Sequence, residues 1–335
     1  MMKVVDQPTP TKNPSGMARG TTTKQTMKAV RIHQYGGLEV LKFEEAPRPQ
    51  PAAGELLIRV HAAAVNPVDW KIREGYAKDR IRHSLPLILG WDVSGTVEAT
   101  GPGVTRFQKG DEVFTRPDIA RDGSYAEYVV VRESEVASKP NSLDHVHAAA
   151  IPLAGLTAWK GIFDTGGLSA RQKILIHAAS GGVGSFAVQF AKWKGAYVFG
   201  TASANNLSFL KELGVDEPID YQRTRFEDVV HDVDVVLDAI GGETQQRSFG
   251  VLKKGGILVS IVAPPSQEEA AKHGVRATHI FIQPDAAELS QIAGLIDHGK
   301  VKPFVETVLP LSAARRAQEL SETGHARGKI VLKVA

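Results

Sequence analysis

The stretch Lys173–Lys192, KILIHAASGGVGSFAVQFAK, decides how the rest of the chain is read. Ile174, Leu175 and Ile176 form a continuous apolar run, the pattern of a short strand buried on both faces. The run breaks at Ser180-Gly181-Gly182-Val183-Gly184 and resumes with Phe186, Ala187, Val188, Phe190 and Ala191 at helical spacing. Strand, glycine turn and helix in that order make an anion cradle. The free N–H groups of the helix start face the anion, Gly181 lets the backbone approach a pyrophosphate, and Gly184 lets the helix lie close to the strand. Ala179 stands where G-x-G-x-x-G has its first glycine, so the motif reads A-x-G-x-x-G. An ordinary tight strand-to-helix turn would use the same residues. What supports nucleotide binding is the context: a strand before, a helix after, and further strand–helix repeats downstream.

Those repeats are AYVFGTA with NLSFLKELG, VDVVLDAIG with ETQQRSFGVL, and GGILVSIV. They predict a parallel, doubly wound sheet. The preceding HAAAIPLAGLTAWKGIF reads as helical. Upstream, from Met27, the grammar differs. KAVRIHQY, LKFEEA, ELLIRVHAAAV, DVSGTVEATG, DEVFT and SYAEYVVV are short β-rich runs between turn signals, which suggests a small antiparallel barrel. After the helical AAELSQIAGLIDHG, the late runs VKPFVETVLPL and KIVLKV resemble the barrel strands, so the nucleotide unit reads as inserted into a discontinuous barrel. The expected boundaries are 1–26 for an extension, 27–148 for the barrel, 149–285 for the nucleotide unit, and 286–335 for the segment that completes the barrel. Residues 1–26 are rich in Thr, Lys, Pro and Gly without apolar periodicity, and read as a disordered tail with weak transit-peptide character.

Composition bounds the rest. A chain of 335 residues is long enough for two cores, and 42% hydrophobic with 23% charged residues is ordinary globular usage. The net charge of +3 comes from scattered basic residues, so no nucleic-acid partner is expected. No apolar run approaches the roughly 18–20 residues that span a bilayer. The chain has no cysteine, which excludes disulfides, thiolate nucleophiles and cysteine-ligated zinc, and fits a reducing cytoplasm.

Several separated stretches occur in an order that resembles the medium-chain dehydrogenase/reductase superfamily, in its zinc-free quinone oxidoreductase-like branch. They are VNPVDWKIREG, LILGWDVSGTVEATGPGV, GSYAEYVVV, PLAGLTAW, HAASGGVG, VDVVLDAIGG, GGILVSIV and GKIVL. The resemblance implies an α/β fold in which a Rossmann sheet is inserted into a GroES-like barrel. It also implies a homodimer or homotetramer. In zinc alcohol dehydrogenases of the superfamily, a cysteine stands at the position of Asn66 and Gly-His-Glu at the position of Gly90-Trp91-Asp92. A catalytic zinc needs about three N, S or O ligands, which Asn66 and Trp91 do not supply. His33, His61, His83, His177, His145 and His147 have no ligand-spaced partners, so no metal is expected.

Without a Lewis acid, reduction of a simple ketone is hard, because alkoxide charge grows on one oxygen. A quinone or enone spreads that charge over a conjugated anion, and one or two hydrogen-bond donors suffice. The resemblance therefore implies transfer of hydride from NADPH to a quinone or to the β-carbon of an α,β-unsaturated carbonyl. Two alternatives stay open: a zeta-crystallin-like NADPH-binding protein with a structural or RNA-binding role, and an alcohol dehydrogenase.

The resemblance puts Asn66 beside the nicotinamide and the substrate carbonyl; as plain sequence, Asn before Pro67 equally marks a turn. Lys71 and Tyr76 are further candidate donors, with solvation or rim packing as the alternatives. Asp69 braces this turn or pairs with Lys71 or Arg73. Thr157 resembles the family's nicotinamide-side threonine. Other cofactor candidates are Ser180, Gly181, Gly182, Val183 and Gly184 in the turn, Thr201, Ser203 and Asn206 after the second strand, and Tyr221. Ile240, Ile261 and Ala263 follow from their places at strand ends. The second strand ends in Thr201, Ala202 and Ser203 with no acid to bind a ribose 2′-hydroxyl, which favours NADPH; Asn205 stands where relatives often carry Lys. Lys329, near the C-terminus, is a further candidate for approaching the cofactor, with a place in a strand as the simpler reading.

Overall fold

A computed structural model describes residues 25–335. The reading of a disordered tail falls mostly on 1–24 and so lies outside the described residues. Its last two positions do not: Arg48 donates its backbone N–H to the Gln25 carbonyl, and the first strand begins at Thr26.

The antiparallel part uses β1 (Thr26–Ile32), β2 (Leu41–Pro47), β3 (Glu55–Val65), β4 (Leu87–Ile88), β5 (Val93–Thr100), β6 (Glu112–Thr115), β7 (Tyr128–Arg132) and β8 (Val136–Ser138). The eleven-residue β3 is its spine, pairing with β5 and β7. Leu56, Ile58 and Val60 on β3 pack with Val97, Val129 and Leu332 in one apolar core.

The parallel part adds β9 (Lys173–Ile176), β10 (Tyr197–Ala202), β11 (Glu217–Asp220), β12 (Val233–Asp238), β13 (Leu252–Ser260) and β14 (Arg276–His279). Their order across the sheet is β11-β10-β9-β12-β13-β14, every pair parallel. The order reverses between β9 and β12, so a crevice opens beyond the carboxyl end of β9, where open α/β sheets bind ligands. The glycine turn sits there. Ile174, Leu175 and Ile176 are fully buried, as the apolar run demands.

Two details depart from the local reading. The run read as one helix is split into His145–Ala149, Pro152–Trp159 and a π-helical turn Lys160–Thr165. Pro152 has no N–H to continue a helix and instead starts a new one. The helix Ala286–Asp297, placed by sequence with the returning barrel segment, buries Leu289, Ile292 and Ile296 in the nucleotide core.

The chain rejoins the barrel through β15 (Val305–Pro310) and β16 (Lys329–Lys333). β16 lies antiparallel to β3 with Ile330 opposite Val65, and parallel to β15. Just before β16, Gly328 donates its N–H to the Ser180 carbonyl at 2.9 Å. The returning strand thus rests on the glycine turn.

Candidate active site

Between the two units lies a cavity of about 780 Å³. Gly181, Gly182, Val183 and Gly184 form one wall; Val65, Asn66, Lys71 and Tyr76 form the facing one. Thr157, Ile261 and Lys329 line it as well.

Two glycines of this wall are bare for steric reasons. A Cβ on Gly184 would collide with the Ala178 carbonyl oxygen, so the helix Gly182–Lys194 packs against the strand end only because Gly184 is bare. A Cβ on Gly182 would approach Lys329 Cδ to 2.8 Å. At Gly181 the nearest atom to such a Cβ is the Ala178 oxygen at 3.3 Å, and the backbone there borders the cavity. Ala178 itself adopts φ +50°, a left-handed conformation that costs an L-residue about 1–2 kcal/mol. The helix N-terminus and its free N–H groups suit a pyrophosphate.

On the facing wall, Asn66 precedes the helix Pro67–Arg73 and donates its backbone N–H to Asp69 Oδ2 at 2.9 Å. Tyr125 Oη donates to the same oxygen at 2.8 Å. Asp69 braces the turn and does not pair with Lys71 or Arg73. Burial pushes its carboxyl up to about 7, against the opposing pull of the Asn66 N–H, the Tyr125 hydroxyl and Lys329.

Sequence reasoning offers Asn66 as a donor to the substrate oxygen; two contacts orient its side chain in the wall and use one of its two Nδ2 protons. Its Nδ2 donates to Asp92 Oδ2 at 2.8 Å, and its Oδ1 accepts from Lys329 Nζ. Lys329 Nζ also donates to the Val65 carbonyl at 3.1 Å and to Asp92 Oδ2 at 3.2 Å, so all three ammonium protons are in use. Asp92 Oδ1 accepts from the Leu153 N–H at 2.6 Å, at the start of the helix Pro152–Trp159. One fully buried carboxylate therefore ties the barrel, the first helix of the nucleotide unit and the returning strand together. Burial pushes Asp92 up, while Lys329 and Asn66 pull it down.

Asp92 and Lys329 are the residues that sequence reasoning undervalued. An acid within the apolar run LILGWDVSG is the available signal for Asp92, which the resemblance names only as the last residue of the triplet set against Gly-His-Glu. Lys329 had no local signal.

The other candidates divide. Thr157 lines the cavity, its hydroxyl donating to the Leu153 carbonyl at 2.7 Å. Lys71 lines it with its ammonium 5.6 Å from the Trp70 ring, and Tyr76 stands exposed at its edge. Thr201 is buried away from the cavity wall, its Oγ1 3.1 Å from His177 Nδ1. Ser203 and Asn206 contact each other beyond β10 at 3.3 Å. Tyr221 and Ile240 are exposed beyond β11 and β12. Ser180 gives its carbonyl to Gly328, and Ala263 gives its carbonyl to Gln245 Nε2 at 3.2 Å. Asp238, buried at the end of β12, accepts from the N–H groups of Ile240 and Gly241 and so shapes that loop. Among the described residues no group of three or more His, Asp or Glu side chains converges as metal ligands.

Comparison with known proteins agrees with this architecture. Residues 52–141 match the family described as alcohol dehydrogenase GroES-like domain, and residues 213–332 match zinc-binding dehydrogenase. The chain is 35% identical to the NAD(P)H oxidoreductase RTN4IP1, mitochondrial, of Danio rerio, over 93% of its own length and 92% of that protein's. It therefore belongs to the medium-chain dehydrogenase/reductase superfamily. The 2-methylene-furan-3-one reductase of Solanum lycopersicum is 37% identical, over 91% of this chain and 79% of that protein. The quinone oxidoreductase structure from Coxiella burnetii superposes with a TM-score of 0.87 at 36% identity, covering 93% of this chain and all of that one. These place it in the quinone oxidoreductase-like branch of the superfamily, among oxidoreductases that use a nicotinamide cofactor. Among the described residues, no helix is long and apolar enough to cross a membrane.

Proposed function

We propose that the chain is a zinc-independent oxidoreductase that uses NADPH and acts on a quinone or on the β-carbon of an α,β-unsaturated carbonyl. The observation that carries this reading is the single cavity shared by the glycine turn and the 65–76 segment. Its apolar walls, from Val68, Ile72, Leu153 and Ile280, suit a flat conjugated molecule. The quinone and enone named for two of the relatives support the same acceptor class.

Gly181 to Gly184 would hold the pyrophosphate, and Thr157 and Ile261 would border the nicotinamide. Bound there, the cofactor supplies a hydride. Ser203 and Asn206 would offer neutral donors to a ribose 2′-phosphate, since no acid ends β10; Tyr221 and Ile240 present apolar surface for the adenine at the neighbouring strand ends. Negative charge growing on the acceptor oxygen needs a donor. With Lys329 engaged, that role falls to Lys71 and Tyr76 together with the second Nδ2 proton of Asn66, and water supplies the final proton. Asn66, Asp92 and Lys329 keep the two walls in register.

A homodimer or homotetramer through β14, an edge strand of the parallel sheet, completes the proposal. A chain without cysteine suits a reducing compartment. The cytoplasm is the simplest one, and the mitochondrial label of the Danio rerio relative names the other.

The test is oxidation of NADPH and NADH with a panel of quinones and enones. The expected result is acceptor-dependent oxidation with NADPH preferred. Tight NADPH binding with no acceptor-stimulated oxidation would overturn the enzyme reading and leave a cofactor-binding protein.

A further inference from the structure

The edge strand β14 ends in His279. Its pairing with β13 sets His279 opposite Ser260, and Ile280 donates its N–H to the Ser260 carbonyl at 3.0 Å. Ile261 and Val262, the two residues after Ser260, line the cavity, and so does His279. The imidazole therefore stands at the strand ends that would border the nicotinamide. It is only half-buried. Among the described residues no group hydrogen-bonds it, and neither of its ring nitrogens is sealed from solvent as His83 Nδ1 is.

Across the cavity lies the 65–76 segment with the candidate donors Lys71 and Tyr76. Lys71 and Arg80 both act on His279 through space, so the imidazole faces that side across the volume an acceptor would fill. Burial first, then Arg80 and Lys71, hold its pKa below the ordinary 6.5. Among the described residues, the other titratable side chains of the wall are Tyr76, Arg116 and Lys329, and no Asp or Glu lines it to favour the imidazolium. A neutral imidazole carries one N–H to donate. With no partner in the protein, that N–H is available to a ligand.

We propose that His279 is a catalytic residue that donates a hydrogen bond to the acceptor's carbonyl oxygen from the nucleotide side of the cavity. This rests on the oxidoreductase reading of the cavity and deepens it by one donor. When hydride adds to the acceptor carbon, the displaced π pair moves through the conjugated system and becomes negative charge on the oxygen. The His279 N–H holds that charge without giving up its proton, and water delivers the proton that completes the reduction. A quinone has two such oxygens, so Lys71 can serve one and His279 the other.

The experiment compares wild type with His279→Phe, which keeps a ring but loses the N–H, and with His279→Gln, which keeps an N–H. With menadione as acceptor, kcat/KM is expected to fall roughly tenfold to a hundredfold in His279→Phe, the range for a hydrogen bond to a charged group, and to recover in His279→Gln. The dissociation constant of NADPH should stay at the wild-type value in both. The imidazolium is the stronger donor, so the ratio of wild type to His279→Phe should grow as pH falls below 6.5. A second readout needs no turnover: calorimetric binding of α-tetralone, a bicyclic ketone that is no hydride acceptor of this class, to the NADPH-loaded protein. It should weaken about threefold to tenfold in His279→Phe. Equal reduction of menadione by wild type and His279→Phe, or weaker NADPH binding that accounts for the whole loss, would overturn the proposal. A ratio that does not move with pH would mark a packing role and overturn it too. If menadione is not reduced but α-tetralone binding depends on His279, the oxidoreductase reading fails and the donor stands. If His279→Phe does not fold, His279→Leu removes the same N–H in a smaller side chain and decides the matter.

Discussion

Replacing Lys329 with Met tests whether the buried Asn66–Asp92–Lys329 cluster holds the two units together. The substitution preserves an unbranched side chain along Gly182, whose bare Cα faces the Lys329 stem, but removes the ammonium and its three hydrogen bonds. Lys329 and Asp92 are both almost entirely buried, so the attraction between them is poorly screened. Removing one partner of a buried pair costs about 3–5 kcal/mol, because the other charge stays behind uncompensated. Here Asp92 keeps two donors, the Leu153 N–H and Asn66 Nδ2, so the lower end of that range, about 3 kcal/mol, is expected near pH 8.

The pH dependence follows. Burial already raises Asp92, and Lys329 is the largest influence holding it down. Without the ammonium, folded Asp92 binds its proton more readily than the unfolded chain does. The penalty in Lys329→Met should therefore shrink as pH falls towards 5. Adding Asp92→Asn removes the stranded charge, so the double variant should be more stable than the sum of the two single losses by at least about 1 kcal/mol. Urea unfolding of the four proteins at pH 8 and pH 5 reads all of this. A loss under about 1 kcal/mol in Lys329→Met, or additive losses in the cycle, would refute the reasoning.

Two further predictions concern charge on either side of the cavity. Asp69 is held at about 7, so between about pH 4 and pH 7 the folded chain keeps a proton that the unfolded chain has lost, and stability falls with rising pH by about 4 kcal/mol in total. His177, pushed down to about 4 by burial, acts oppositely over part of the same window: there the unfolded chain binds the proton, and stability rises with pH. The difference in unfolding free energy between wild type and Asp69→Asn isolates the carboxyl; parallel pH profiles for the two would contradict it. At the end of β10, Ser203→Glu should reverse the NADPH preference by roughly tenfold or more in the ratio of dissociation constants, since a carboxylate there repels a 2′-phosphate and accepts from a 2′-hydroxyl. An unchanged ratio would place the ribose elsewhere.

What could be read from sequence was what neighbouring residues decide among themselves. The turn at Ser180–Gly184 declares itself because a strand, bare backbone and a helix start must follow one another within a few residues. The structure gives Gly182 and Gly184 a steric reason for being bare and sets Gly181 at the cavity border. The missing acid after Gly200 is equally local. The alternation of short β runs and later strand–helix repeats distinguished the two units for the same reason. The helix Ala286–Asp297 was misplaced because its apolar stripe says that it is buried but not which core buries it.

The site's polar chemistry could not be read that way. Asn66 and Lys329 are 263 positions apart, and Asp92 and Lys329 are 237 apart. They meet because β16 pairs with β3 in a register that sets Ile330 against Val65, and because Gly328 hydrogen-bonds to the glycine turn. Sequence by itself determined the strand, glycine turn and helix of Lys173–Lys192, since backbone sterics and periodicity act over a few residues. Tertiary structure decided which donors are already taken and which are free for a substrate, because that depends on charges brought together by long-range strand pairing and burial.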